Sequence, residues 1–229
     1  MNLLFIDLET TSADIETARI VEIACCLWNV ESRTILGVFS ALTQCDENPA
    51  QHVNGIDPAA LVNATPVDRA FATVGHFVAK ADILAAHNGD GFDRPIMERY
   101  ACPWTHPKPW LDTMDMTYPR TSSSRSLVAI ALAHGVPIGT VHRAFDDVLL
   151  LARLFERASE LGANIPALLE HAMRPKKTYE VAAKGFDAEQ NAQSKAAGFR
   201  FDPNTKSWRR RLAIADVGAL GFDVREVAQ

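Results

Sequence analysis

The chain has 229 residues, 48% of them apolar and 22% charged, with a formal net charge of −5. That length accommodates one full hydrophobic core plus a smaller appendage and needs no disulfide or metal staple to stay folded. Cys25, Cys26, Cys45 and Cys102 form no C-x-x-C pair and sit in apolar surroundings, which argues against structural zinc and for reduced thiols in the cytoplasm. The opening run MNLLFIDLETT lacks a basic n-region and is broken by Asp7, so it reads as neither signal peptide nor membrane span.

In chain order, apolar and β-branched enrichment predicts strands over residues 3–8, 20–30 and 35–42, an antiparallel meander. Helical spacing follows over 58–63 and 67–80, the latter with Thr65 or Asp68 as its cap, and a short buried strand over 82–86. A helix is expected over 92–100, a strand over 110–114, a helix over 126–134 closed by Gly135, and a long amphipathic helix over 144–161 closed by Gly162. This order points to a mixed sheet covered by helices. The periodicity breaks at 173–177, read as a linker between a domain over 1–172 and a small α+β module over 178–229. In that module a helix is expected over 188–197, a hairpin of 199–201 and 207–212 closed by 202–206, a helical stretch over 213–220 and a strand over 224–227.

Charge is divided unevenly between these parts. Residues 1–173 carry twelve Lys/Arg against twenty-one Asp/Glu, whereas residues 174–211 carry ten against four, a local charge of +6. An acidic body with a basic appendage suits a metal-binding domain joined to a module that grips a polyanion, although surface charge can vary between lobes without such a role. Phe199, Arg200, Phe201, Trp208, Arg209, Arg210 and Arg211 interleave aromatics with cations, as stacking on bases beside neutralised phosphates requires; a small aromatic core with solvated arginines is the plainer alternative.

Three segments concentrate groups suited to chemistry. Asp7 and Glu9 stand at i and i+2 in an apolar strand, so both carboxylates leave one face of a segment that otherwise wants burial. Buried like charges either neutralise one group or recruit a cation, and an all-oxygen pair suits a hard ion such as Mg²⁺. The alternative is that Asp7 ends the strand and Glu9 is solvated. His87-Asn88-Gly89-Asp90-Gly91-Phe92-Asp93 ends a strand and opens a helix, where an acid in the first turn is favoured by the dipole or serves simply as a cap. His142-Arg143-Ala144-Phe145-Asp146-Asp147 opens the long helix. Five helical positions turn about 140°, so His142 belongs on the preceding loop and Asp147 on the inner face with Leu150, Leu151 and Leu154.

In that order, D-x-E-T-T, H-N…F-D and H-x4-D resemble the motifs of the DEDDh exonucleases. These are the DnaQ-like branch of the ribonuclease H-like superfamily, which includes polymerase proofreading subunits and ribonuclease T. The resemblance covers roughly residues 1–165, with Gly55-Ile56 and Leu111-Asp112-Thr113 similar to intervening segments. It implies an α/β fold, a ribonuclease H-like mixed five-stranded sheet flanked by helices, with two Mg²⁺ or Mn²⁺ ions held by Asp7, Glu9, Asp93 and Asp147. Asp7 would bridge the ions and His142 would act as general base, a role that suits an imidazole of ordinary pKa near 6.5. Thr10, Thr11, Asn88 and Phe92 would meet the substrate, with Arg209, Arg210 and Arg211 gripping the strand.

The implied activity is 3′-to-5′ exonucleolytic release of 5′-mononucleotides from single-stranded or frayed DNA, or from RNA, with a homodimer or a polymerase as candidate partners and no membrane. The alternative is a non-catalytic nucleic-acid-binding or polymerase-associated scaffold. Two departures stand out. Three residues separate Asn88 from Phe92 where the family has two, so anchoring on Phe92 and Asp93 displaces Asn88 and makes Asp90 a rival ligand. Ser12 replaces the glycine that often follows the two threonines.

Overall fold

The computed structural model describes residues 1–105, 108–174, 176–182, 188–203 and 205–227. The chain forms two compact units, Met1–Met173 and Arg174–Gln229. Among the described residues no helix is long and apolar enough to cross a membrane.

In the first unit, β1 (Asn2–Thr10), β2 (Ile20–Asn29) and β3 (Thr34–Leu42) form the expected meander. A short α1 (Gln51–Asn54), α2 (Pro58–Leu61) and α3 (Val67–Val78) follow, then β4 (Ile83–Ala86), α4 (Asp93–Arg99) and β5 (Trp110–Asp112). The unit ends with α5 (Leu127–Ala133), α6 (Ala144–Glu160) and α7 (Ile165–Ala172). The sheet order is β3-β2-β1-β4-β5, antiparallel through the meander and parallel from β1 to β4 and from β4 to β5. This is the mixed five-stranded sheet of the ribonuclease H-like fold.

Strand alternation divides the core into two layers. Leu3 and Phe5 of β1 face α5, α6 and α7, while Leu4, Ile6 and Leu8 face α3 and α4. Every residue of β2 except Asn29 is buried, as expected of a strand covered on both faces. Phe155 of α6 sits between Phe5 and Trp28, with ring centroids 4.9 and 5.9 Å away in edge-to-face contacts. That wedge fixes the depth at which α6 lies on the sheet.

Several expectations need correction. Neither Thr65 nor Asp68 caps α3: its N-cap position is Pro66, with no side-chain cap. The strand expected to reach residue 114 stops at Asp112, whose carboxylate accepts the Met114 N–H at 2.9 Å and bends Thr113–Asp115 into a 3-10 turn. Helix α7 adds to the expected elements: Asn164 caps it, and Ile165, Leu169 and Ala172 bury its inner face.

In the second unit, β6 (Lys176–Ala182), α8 (Ala188–Ala196), β7 (Arg200–Asp202), β8 (Ser207–Ala213) and β9 (Arg225–Glu226) form an antiparallel sheet of order β7-β8-β6-β9 plus one helix. The linker read over 173–177 is cut short, because Lys176 and Lys177 already pair with Ala213 and Leu212. Pro175 of that linker and Asn204 of the expected turn lie outside the described residues. The helical stretch expected over 213–220 is a 3-10 segment, Ile214–Ala219. Tyr179, Val181, Phe199 and Leu212 form the core of this unit.

Phe155→Ala, which empties the wedge between sheet and helix, is expected to lower unfolding free energy by about 3–5 kcal/mol, measured by urea titration.

Candidate active site

Asp7 and Glu9 continue the face of β1 that carries Leu3 and Phe5, but they lie beyond the apolar cover of α6 and are only partly buried. Asp147, in the first turn of α6, stands four residues before Leu151 and so faces the same side of the sheet. The three carboxylates each place an oxygen within 4.8 Å of the others. They line one cleft of about 440 Å³ together with Asp93 and His142. Asp146 and Asp90, the rival acids, do not line it; Asp90 lies 3.8 Å from the Arg94 guanidinium.

Asp93 reaches the site for a backbone reason. β4 pairs with β1 only as far as Phe5 opposite Ala85, after which its chain turns away. The Leu8 N–H, left without a strand partner on that side, donates to Asp93 Oδ1 at 3.0 Å, and Asp93 is 2% exposed. The cleft therefore opens where β4 ends beside β1, outside the carboxyl ends of parallel strands, a general location for ligands in open α/β sheets.

The loop after β4 explains the additional residue. Asp112 accepts the backbone N–H groups of Asn88 at 2.9 Å and Asp90 at 3.2 Å, clamping the segment from below. Gly89 passes so close to β4 that a Cβ there would lie 2.5 Å from the Ala86 Cβ. Asn88 takes a left-handed conformation, φ 67°, and lines the cleft in spite of the longer spacing, as does Phe92. The displacement expected for Asn88 is thus absorbed within the loop.

The two threonines part company. Thr10 lines the cleft, its hydroxyl donating to the Ser12 carbonyl at 2.7 Å. Thr11 does not line it: its hydroxyl accepts the Arg19 N–H at 2.9 Å and holds the loop between β1 and β2. Arg209, Arg210 and Arg211 belong to the second unit, and strand alternation splits them. Arg210 shares a face with Trp208 and Leu212 and donates to the Ala197 carbonyl, while Arg209 pairs with Glu180 at 3.3 Å and Asp202 at 3.4 Å. Phe199 is buried and Trp208 donates to Asn191 at 2.8 Å, so these aromatics serve packing.

Asn54, Val53 and Val141 also line the cleft, and sequence reasoning did not single them out. Asn54 is buried and donates to the Thr10 carbonyl at 3.3 Å. Its neighbour Gly55, at φ 68°, closes α1 and was the available signal.

The electrostatics follow from crowding. Burial, then the charges of Asp93, Asp147, Glu9 and Glu22, hold the Asp7 carboxyl well above the ordinary carboxylate range. Burial and Asp147 push Glu9 up to about 8. Burial raises Asp147 to about 6 against the opposing influence of His142, and burial raises Asp93 in spite of the N–H bond from Leu8. A cluster of oxygen donors that resists ionisation until a cation arrives fits a hard divalent ion, with Asp7, Glu9 and Asp147 able to hold it.

The RNase_T family model, described as an exonuclease, matches residues 4–155, about two thirds of the chain. The chain belongs to this exonuclease family, in its DEDDh branch. A domain of unknown function matches residues 184–227. Among characterised relatives, the 3′-5′ exonuclease DinG of Staphylococcus epidermidis is 25% identical over 95% of this chain and 25% of its own length. Exonuclease DPD1 of Arabidopsis thaliana, described as chloroplastic/mitochondrial, is 29% identical over 66% of this chain and 54% of its own length. The chain thus spans a quarter to about half the length of these relatives. The structure of E. coli Exonuclease I in complex with a dT13 oligonucleotide superposes with a TM-score of 0.60 at 18% identity, covering 82% of this chain and 49% of that one.

The raised carboxyls give a signed expectation. Folded-state pKa values above the unfolded ones favour folding at low pH, and that contribution is lost as pH rises through about 6 to 8. Metal-free protein should therefore lose thermal stability between pH 5 and 8 in calorimetry, and Mn²⁺ should restore far more at pH 8 than at pH 5. Asp7→Asn should raise the metal-free Tm at pH 8 and abolish the Mn²⁺ increment.

Proposed function

We propose that the chain is a metal-dependent 3′-to-5′ exonuclease that removes 5′-mononucleotides from single-stranded or frayed 3′ ends. The observation that carries this reading is the convergence of Asp7, Glu9 and Asp147, from a strand and a helix distant in sequence, to within 4.8 Å beside His142 and Asp93. Asp7, Glu9, Asp93 and Asp147 would hold two Mg²⁺ or Mn²⁺ ions. When bound, such ions polarise the attacking water and offset charge on the leaving 3′ oxygen. His142, on the loop before α6, accepts the proton as the water oxygen bonds to phosphorus. The bond from phosphorus to the 3′ oxygen breaks, and that oxygen takes a proton from solvent to become the new 3′ hydroxyl. Asn88, Thr10 and Phe92 line the cleft where the terminal nucleotide would lie.

DNA is the proposed substrate, supported by the oligonucleotide bound in the E. coli Exonuclease I structure. The four buried free thiols support a reducing compartment such as the cytoplasm. With Mg²⁺ and 3′-single-stranded DNA, the protein should release mononucleotides. His142→Ala should lower kcat by about 10²–10⁴-fold, and Asp7→Asn should abolish release. Survival of release in Asp7→Asn would sink the assignment, and a stronger response to RNA would reassign the substrate.

For the second unit, we propose that the arginine-bearing face of its sheet contacts the phosphates of a nucleic-acid strand. Arg200 lies directly across from Arg209, and Arg211 shares their side of the sheet. Glu180 and Asp202 already pair with Arg209 on this face, so the positive charge in excess there comes from its other arginines. Arg200→Ala combined with Arg211→Ala should reduce the slope of log K against log[salt] by about 1–2 for single-stranded DNA, in binding titrations with Ca²⁺ present. Arg210→Ala should leave that slope unchanged, because strand alternation sends its side chain to the opposite face of the sheet, with Trp208 and Leu212.

A further inference from the structure

Glu22 is an acid near the start of a mostly apolar strand, 2% exposed, and directly opposite Glu9 in the pairing of β1 with β2. It does not line the cleft, so it is not a candidate ligand. Its carboxylate is saturated instead. Arg143 Nε donates to Oε2 at 2.9 Å and Arg143 Nη2 to Oε1 at 3.3 Å, a side-on bidentate pair. The Ala144 N–H donates to Oε2 at 3.2 Å and the Ser40 hydroxyl to Oε1 at 3.0 Å.

Two of these donors belong to the segment that matters most for the proposed chemistry. Arg143 occupies the N-cap position of α6 yet provides no side-chain cap. Glu22, from another strand, takes the first orphan amide of the helix and places negative charge at its positive end. The preceding residue, His142, is held at φ 57°, a left-handed conformation that an ordinary side chain keeps only where its surroundings impose it. Arg143 and Ala144, the two residues after His142, are both clamped by one buried carboxylate. An ion pair between a buried carboxylate and a partly exposed arginine adds little net stability, so a geometric contribution is the one to look for.

We infer that Glu22 and Arg143 are positioning residues, which fix the loop before α6 so that the His142 imidazole faces the cleft it shares with Asp7, Glu9 and Asp147. This rests on the reading of His142 as the general base. Glu22→Gln and Arg143→Gln each remove the charge pairing, and Arg143→Lys keeps the charge without the bidentate geometry. In single-turnover assays with Mg²⁺ and single-stranded DNA, the two glutamine variants should lower the rate by about 10–100-fold, with KM and Mn²⁺ affinity within about twofold of the parent. Arg143→Lys should recover part of the loss.

The deciding comparison places Glu22→Gln in a His142→Ala background. There it should change the rate by less than about twofold, since the base it positions is gone. An equal loss in both backgrounds, or a fall in Mn²⁺ affinity that matches the fall in rate, would overturn the inference in favour of a general structural role. Hydrogen exchange at the Ala144 amide gives a second readout independent of activity: about tenfold faster exchange in Glu22→Gln supports the clamp, and an unchanged rate overturns it. An inactive wild-type protein would overturn the exonuclease reading itself, and the exchange measurement would still decide whether Glu22 holds the loop.

Discussion

Three carboxylates with oxygens within 4.8 Å of one another repel by about 3–4 kcal/mol per fully ionised pair at an effective dielectric near 20. The first unit is organised around containing that repulsion. Asp7 and Glu9 cannot move apart because β1 lies between β2 and β4, and Asp147 cannot retreat because Phe155 wedges its helix between Phe5 and Trp28. The raised carboxyl pKa values express the same strain in another form: the site favours either protons or cations.

The sheet topology decides where this strain is placed. β1 serves as structural strand and acid-bearing strand in succession, its apolar positions anchoring one half and its acids emerging where α6 no longer covers it. The point where β4 leaves β1 frees the Leu8 N–H for Asp93 and opens the cleft. The loop beyond β4 accommodates its additional residue because Asp112 holds it from below and Gly89 presents no Cβ to Ala86.

Much of this was legible in the residues. The meander, the amphipathic helix of Asp147 and the i, i+2 spacing of Asp7 and Glu9 follow from periodicity alone, because strand and helix periods dictate which side chains share a face. Helix α7 and strand β6 were not legible: each is short, and each is stabilised by neighbours far along the chain rather than by its own pattern. The arginine run divides for a related reason. Three consecutive cations suggest one patch, but a strand sends alternate side chains to opposite faces and gives Arg210 a different environment from Arg209.

Asp7, Glu22 and Asp112 show the boundary most clearly. Each is an acid in or at the end of an apolar strand, and by sequence the three carry the same signal of a buried charge that needs compensation. By itself the sequence determined that such compensation must exist. Only the tertiary structure decided its kind: an arginine, an amide and a hydroxyl for Glu22, three amides for Asp112, and for Asp7 a ring of further carboxylates that leaves the compensation to protons or a cation. The reason is physical: the partners of a buried charge are set by which distant segments meet there, and local spacing carries no record of that meeting.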